Sequence, residues 1–332
     1  MNVSVLIVNY KTPQLVLDCI GSIYDFDVTQ LEVIVIDNKS NDGVEDLLKI
    51  HYPKVQFLQM GYNAGFARAN NAGIIMASGD ALLLLNSDTI VLDDAINRCA
   101  NNLFSSSFVA SGVQLLNNDL SVQISGNYAT RGGLNYLLPL PYLGVILKGI
   151  GNIVGIEKPH LPSASSTHEV DWVNGAFLMV KKTAIEQAGM MDGEFFLYAE
   201  EAEWCSRLKK VGPIAIFGDC KVVHLQGASA TEAFDASTKG YANLSDKMGF
   251  QIMLSNLVRI RKEFGLAWFV LIFSAYIIEI PFYFLCMLVD SLINGNAPKK
   301  FVDWKGYTKN VIGCFSFIYS IIFEKKEFYK VL

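Results

Sequence analysis

The 332-residue sequence contains no Cys-x-x-Cys pair, and its six cysteines (Cys19, Cys99, Cys205, Cys220, Cys286, Cys314) lack any metal-ligand spacing. A cysteine-built metal or redox centre is thereby excluded, and reduced, mostly buried thiols are expected. Broad positive charge is missing as well. Twenty-seven Lys and Arg against 32 Asp and Glu leave a formal net charge of −5, which argues against a nucleic-acid partner. There is no internal repeat. The N-terminus has no basic region, long apolar stretch or cleavage site of the signal-peptide kind, so this part of the chain is expected to stay in the cytoplasm. What the sequence does have is apolar residues. They make up 52% of it, mean hydropathy is +0.31, and the last quarter carries much of the excess.

Val3–Val8, Leu31–Ile36, Val55–Leu58 and Ala81–Leu85 are short continuous apolar runs, as strands covered on both faces tend to be. Helical patterns separate them. Thr12-Pro13 supplies an N-cap and a first-turn proline ahead of Leu15, Leu17 and Ile20, and Asn63 caps a helix ending near Ser78-Gly79. This alternation predicts an α/β protein, Rossmann-like, with a mostly parallel central sheet and ligands at the carboxyl ends of the strands. Residues 117–167, rich in Gly, Pro, Ser and Asn, read as a loop-rich insertion. Order returns at Val170–Val180, with helices over Lys182–Ala188 and Tyr198–Val211. Strand-like Ile214–Phe217 and Lys221–His224 follow, then a helix over Tyr241–Glu263.

Polar residues follow the strands: Asn9-Tyr10 after the first, Asp37-Asn38-Lys39-Ser40-Asn41-Asp42-Gly43 after the second, Asn86-Ser87-Asp88-Thr89 after the fourth. Singly, each fits a turn or a helix cap. Together they form one polar rim. A carboxylate after the second strand suits a ribose or base edge, and one after the fourth suits a hard divalent cation on a diphosphate. Asp88 is the strong ligand there, since Asn86 and Ser87 are neutral.

These segments resemble the GT-A glycosyltransferases of family 2, in particular the bacterial rhamnosyltransferase-like branch. The resemblance rests on Ser4–Tyr10, Val35–Ser40, Asn63–Gly73, Leu82–Thr89, Trp172–Phe177 and Phe195–Glu203, in order over roughly residues 1–250. It implies a GT-A catalytic domain at 1–263, its nucleotide-binding half at 1–115 and acceptor half at 116–263, followed by a membrane-associating helical region at 264–332. It places Val8, Asn9, Tyr10, Asp37, Asn38, Asn63, Arg68, Asn86 and Ser87 at the nucleotide sugar, although Arg68 fits a solvated helix face equally well. It places Asp88 and His224 (in His224-Leu225-Gln226-Gly227-Ala228-Ser229) on Mg²⁺ or Mn²⁺. Trp172, Asn174, Gly175 and Glu200 would line the sugar and acceptor cleft, with Trp172 equally suited to a core. Glu201 stands where the family's base is usually Asp, and Glu203 with Arg207 has i,i+4 spacing.

The activity implied is inverting transfer of a sugar, rhamnose from dTDP-rhamnose, to a lipid-linked glycan in surface polysaccharide synthesis. UDP-hexose or UDP-galactofuranose donors are the alternative, and an inactive membrane-associated scaffold is the non-enzymatic one. A sugar-nucleotide pyrophosphorylase would need a Gly-rich basic loop after the first strand, and Asn9-Tyr10-Lys11-Thr12 is not one.

Gly265–Val289 is long enough to cross a bilayer, but Glu279 and Pro281 near its middle suit a broken or interfacial helix as well. The shorter run Val311–Phe323 is flanked by Lys299, Lys300, Lys305 and Lys309 and by Lys325, Lys326 and Lys330, a pattern suited to an anionic leaflet. The expected location is the cytoplasmic face of a bacterial inner membrane. A buried helical pair or an interface between copies of the chain in a homo-oligomer remains the alternative.

Overall fold

The computed structural model describes residues 1–128, 134–156, 159–225, 243–294 and 297–331. The strands are β1 (Val3–Asn9), β2 (Leu31–Asp37), β3 (Gln56–Gln59), β4 (Ala81–Asn86), β5 (Thr89–Val91), β6 (Ala110–Leu116), β7 (Gly126–Asn127), β8 (Thr167–Val170), β9 (Trp172–Val173), β10 (Phe177–Lys181) and β11 (Ile214–His224). The helices are α1 (Pro13–Tyr24), α2 (Val44–His51), α3 (Gly65–Met76), α4 (Ala95–Phe104), α5 (Leu143–Val154), α6 (Lys182–Ala188), α7 (Glu200–Leu208), α8 (Lys247–Phe264), α9 (Leu266–Asn294), α10 (Ala297–Cys314) and α11 (Ile318–Ile322).

Two compact units emerge, one of Met1–Ala129, His160–Gly193 and Glu200–Asp235, the other of Thr130–Pro159, Glu194–Ala199 and Ala236–Leu332. The first is built on a sheet of order β3-β2-β1-β4-β10-β6-β11-β5, with β8 paired onto β11. β1 is parallel to β2 and β4, and β6 to β11, whereas β10 and β5 run against their neighbours. The apolar runs are continuous because both faces are covered. Val3, Val5 and Ile7 enter a core with Val16 and Ile20 of α1, while Leu6 turns to the opposite core with Ala67 and Ala69 of α3. Side chains alternate across the sheet.

Glycine is required where the chain packs closest. A Cβ on Gly112 would lie 2.3 Å from a Val173 methyl, so β6 passes under β9 only with no side chain there.

The second unit packs α8, α9 and α10 against one another. Asp246 caps α8 through its Oδ1, which accepts from the Gly249 N–H at 2.7 Å. Gln251 of α8, fully buried, donates to the Tyr329 carbonyl and accepts from the Val331 N–H, tying down the C-terminal segment. Among the described residues one helix, Leu266–Ile293, is long and apolar enough to cross a membrane. This division groups α8 with the helices that follow it.

Three features depart from the sequence reading. The insertion at 117–167 contains a 3₁₀ turn, Leu134–Leu137, and α5. Gly144, Gly149 and Gly151 weaken the helix signal of α5, and its apolar residues follow no buried stripe. The helix expected from Tyr198 begins at Glu200, because Tyr198 and Ala199 adopt left-handed backbone, φ 71° and 69°. The final apolar run is broken by a 3₁₀ turn at Phe315–Phe317.

All six cysteines are free, and every one except Cys286 is buried. Burial pushes the Cys19 thiol up to about 12, so it is inert at neutral pH.

Candidate active site

The rim expected at the strand ends is present, and its first part is a dense hydrogen-bond network. Asn9 Nδ2 donates to Asp37 Oδ1 (2.8 Å), Ser40 Oγ (3.1 Å) and Asp42 Oδ2 (2.9 Å). Asp37 Oδ2 also accepts from the Ser40 N–H (2.9 Å) and from Gln59 Nε2 (2.8 Å). Three donors therefore converge on this buried carboxylate, which holds it in one orientation. Asn38 clamps the next helix, accepting from the Ala64 N–H and donating to the Gly65 carbonyl. Asn63 Oδ1 accepts from the Gly65 N–H in a turn just ahead of α3, whose N-cap position is Ala64 and not Asn63 as the sequence suggested. Gln59 is a participant that the sequence pattern did not single out, and its polar side chain at the end of β3 was the available signal.

Val8 is half-buried at the end of β1, paired in register with Asn86 of β4. Tyr10 is half-buried too, with the Lys11 ammonium 5.3 Å from its ring centroid. Arg68 projects from α3 and donates through Nε to the Gly193 carbonyl at 2.6 Å, which commits that nitrogen to the protein.

The Asn86–Thr89 turn joins β4 to β5 and is closed by Thr89 Oγ1 donating to the Asn86 carbonyl at 2.7 Å. Ser87 Oγ lies 3.4 Å from Thr12 Oγ1, whose own partner is Asn9 Oδ1, so the first and fourth strand ends are linked. Asp88 is buried. β5 pairs antiparallel with β11, Thr89 opposite His224, and the Leu225 N–H donates to the Asp88 carbonyl at 2.9 Å. That pairing brings His224 Nε2 to 3.5 Å from Asp88 Oδ1. Gly227 and Ser229, from the same predicted motif, lie outside the described residues.

The imidazole is oriented by Gln123. Its Nε2 donates to the His224 carbonyl (2.5 Å) and the Leu116 carbonyl (3.3 Å), which leaves Oε1 as an acceptor 3.1 Å from His224 Nδ1. An acceptor there places a proton on Nδ1, so Nε2 is the ring nitrogen turned toward the Asp88 carboxylate. One imidazole nitrogen and one carboxylate oxygen form a donor set suited to Mn²⁺, and less to Mg²⁺, which favours oxygen alone. Among the described residues no group of three or more His, Cys, Asp or Glu is placed to hold a metal ion.

On the acceptor side, Glu200 and Glu201 open α7. Glu200 is buried, its Oε2 has no hydrogen-bond partner among the described residues, and burial first, then the Glu201 carboxylate, pushes its pKa well above the usual carboxylate range. Glu201 is half-buried. A Cβ on Gly175 would sit 3.6 Å from both Glu201 Cβ and Cγ and 3.7 Å from Phe66, so this residue borders the Glu201 stem without filling the space. Asn174 Oδ1 accepts from the Ala176 N–H, which shapes that turn. Trp172 is half-buried against the core. Glu203 and Arg207 form the expected i,i+4 pair, bidentate at 2.7 and 2.8 Å, and Arg207 also donates to the Ala188 carbonyl. The left-handed Tyr198 and Ala199 directly before the carboxylate pair are the kind of backbone strain that collects at functional sites.

The raised pKa of Glu200 has a definite consequence. The folded state holds its proton more tightly than the unfolded chain, so its contribution is intact below the unfolded value near 4.5 and is lost as pH rises through the folded value. Glu200→Gln, which mimics the protonated form, is expected to raise Tm by an amount that grows as pH climbs above about 4.5. Thermal melts across pH check this, and a pH-independent difference would count against it.

The model described as glycosyl transferase family 2 matches residues 4–130, and this part of the chain belongs to that family. Over 254 residues the chain is 24% identical to the low-salt glycan biosynthesis hexosyltransferase Agl10 of Haloferax volcanii, covering 74% of each protein. It is 24% identical to the dTDP-rhamnosyl transferase RfbF of Shigella flexneri, with 59% of this chain and 60% of that protein aligned. The Mycobacterium tuberculosis N-acetylglucosaminyl-diphospho-decaprenol L-rhamnosyltransferase is 25% identical, over 56% of this chain and 64% of its own length. Among solved structures, the mannosyltransferase PcManGT of Pyrobaculum calidifontis, in complex with GDP-Man and Mn²⁺, superposes with a TM-score of 0.52. That match has 14% identity and covers 94% of this chain and 86% of that one. The sheet has the GT-A fold, and the chain is similar to family 2 glycosyltransferases, rhamnosyltransferases among them.

Proposed function

We propose that the protein is a metal-dependent, inverting glycosyltransferase that moves a sugar, rhamnose from dTDP-rhamnose, onto a lipid-linked glycan during surface polysaccharide synthesis at the cytoplasmic face of a bacterial inner membrane. The observation carrying this reading is the convergence of Asp88 and His224 Nε2 at the ends of β4 and β11. Two rhamnosyltransferases among the relatives, one named for a decaprenol-linked substrate, favour the donor and the acceptor class.

In this reading Asp37, Asn9, Tyr10 and Asn38, with Val8 at the strand end, shape the nucleoside pocket, and Asn63, Arg68, Asn86 and Ser87 border it. Asp88 and His224 would hold Mn²⁺ or Mg²⁺, which when bound neutralises the leaving diphosphate. Trp172, Asn174, Gly175 and Glu200 line the cleft. Glu201 takes the proton from the acceptor hydroxyl as that oxygen bonds to the anomeric carbon. The bond from that carbon to the diphosphate oxygen breaks on the opposite face, and the configuration inverts. The raised pKa of Glu200 favours its protonated form beside Glu201. The space beside Gly175 suits a Glu where the family commonly has an Asp.

A thermal-shift panel of nucleotide sugars with Mn²⁺ or Mg²⁺ tests the proposal. The expected result is a shift with dTDP-rhamnose and metal together, through preferential binding to the folded state, and a smaller one with either alone. A shift with a UDP-hexose or UDP-galactofuranose instead would replace the donor, and none with any donor would favour the inactive scaffold.

A further inference from the structure

Helix α5 exposes the apolar side chains a soluble protein would hide. Val145, Ile150, Ile153 and Val154 are all more than half exposed, Ile153 to 87%, and Gly144 is the buried residue of this helix. Its root is nevertheless firmly held. Glu279, fully buried in the middle of α9, accepts from the Tyr142 N–H at 2.7 Å and from the Leu143 N–H, so a carboxylate 137 positions away caps the helix. Tyr142 also donates through its hydroxyl to Asp290 at 3.2 Å and meets the Tyr283 ring edge-on, while Lys300 pairs with Asp290. A buried carboxyl thus fixes a helix whose exposed side chains are hydrocarbon apart from Lys148 and Asn152.

Helix α9 has the same character on one face. Phe269, Ile272, Tyr276, Glu279, Tyr283 and Met287 form its buried stripe, whereas Leu271, Ile278, Leu285 and Leu292 are exposed. The buried stripe packs against α10. α10 lies antiparallel to it, with Lys300 on Asp290, Trp304 Nε1 on the Ile280 carbonyl and the Tyr307 hydroxyl on the Tyr276 carbonyl. A helix flanked in this way by one bearing Lys300, Asp303, Lys305 and Lys309 is not surrounded by lipid, so α9 does not cross a bilayer alone.

Charge identifies what covers the apolar surface. Residues 246–331 carry eleven Lys and Arg against seven Asp and Glu, although the whole chain has a net charge of −5. Exposed rings are paired with ammonium groups, Lys305 over Phe301 at 4.6 Å and Lys325 over Tyr319 at 4.2 Å, as at a membrane interface. We infer that the second unit is a monotopic docking module for an anionic phospholipid surface, in which α9 lies in the membrane plane and α5, clamped by Glu279, inserts as a second apolar element. This does not depend on the transfer reaction, because vesicle binding is read without any sugar donor.

The test uses the full chain with vesicles of phosphatidylethanolamine and phosphatidylglycerol, compared with phosphatidylcholine alone. Strong binding to the first, weakened by salt, is expected. Ile150→Glu/Ile153→Glu changes two exposed positions, so Tm should hold while vesicle affinity falls at least about tenfold. Wild-type binding by that variant overturns the role of α5. So does a vesicle-independent dimer that the variant dissolves, which would make the face a contact between copies. For depth, nitroxide labels at Ile153→Cys and Leu285→Cys, in a Cys286→Ser background whose other cysteines are buried, should both sit about 5–10 Å into the interface. A Leu285 label at the bilayer centre would mean that α9 spans.

Discussion

Glu201→Gln is expected to lower the transfer rate by about 10²–10⁴-fold while leaving donor binding unchanged, the usual size of a lost general base. The amide keeps the shape of the side chain beside Gly175 and cannot take a proton. A base acts in the transition state, so kcat and kcat/KM for the acceptor should fall together. Glu200→Gln supplies the comparison. That carboxyl is buried, with its pKa raised by burial and by Glu201, and an amide reproduces its protonated form. Its turnover should stay within a few-fold of wild type. Equal losses in the two variants would mean that the pair acts as a unit, and near-normal turnover by Glu201→Gln would remove it from the chemistry.

Asp88→Asn should abolish metal-stimulated transfer, a loss on the order of 10³-fold or more if the bound cation supplies several kcal/mol of charge stabilisation. Asparagine preserves the volume of this buried position, so the turn closed by Thr89 and the β5–β11 pairing should survive, and Tm should change little. Metal affinity gives a second readout independent of turnover. With the charge gone, His224 Nε2 would be the remaining strong ligand, and Mn²⁺ titration followed by electron paramagnetic resonance should reveal far weaker binding. Wild-type Mn²⁺ affinity in a folded Asp88→Asn protein would rule out this site.

Much of the first unit was legible because it is written locally. The four early strands read as continuous apolar runs since both sheet faces are covered, and Asp37 and Asp88 could be placed at strand ends by counting along those runs. Thr12-Pro13, Lys182–Ala188 and the Glu203–Arg207 pair are likewise short-range features. The resemblance in motif order added roles that no single motif specifies. α5 was illegible for the converse reason. Three glycines lower its intrinsic helicity, it buries no stripe, and its cap comes from Glu279 on another helix.

By itself the sequence determined the α/β alternation, the polar strand ends, the carboxylate pair at the start of α7 and the uneven charge and hydropathy of the C-terminal region. Only the tertiary structure decided which groups meet. His224 reaches Asp88 through antiparallel pairing of β5 with β11, and its tautomer is set by Gln123, 101 positions away. Glu279, which in sequence merely interrupts an apolar run, caps α5 in space. Periodicity records which face of an element is buried, because apolar residues at the period of that element mark one side of it. Whether an imidazole meets a carboxylate, or a carboxylate finds a helix end, depends on packing between distant segments, which no local pattern encodes.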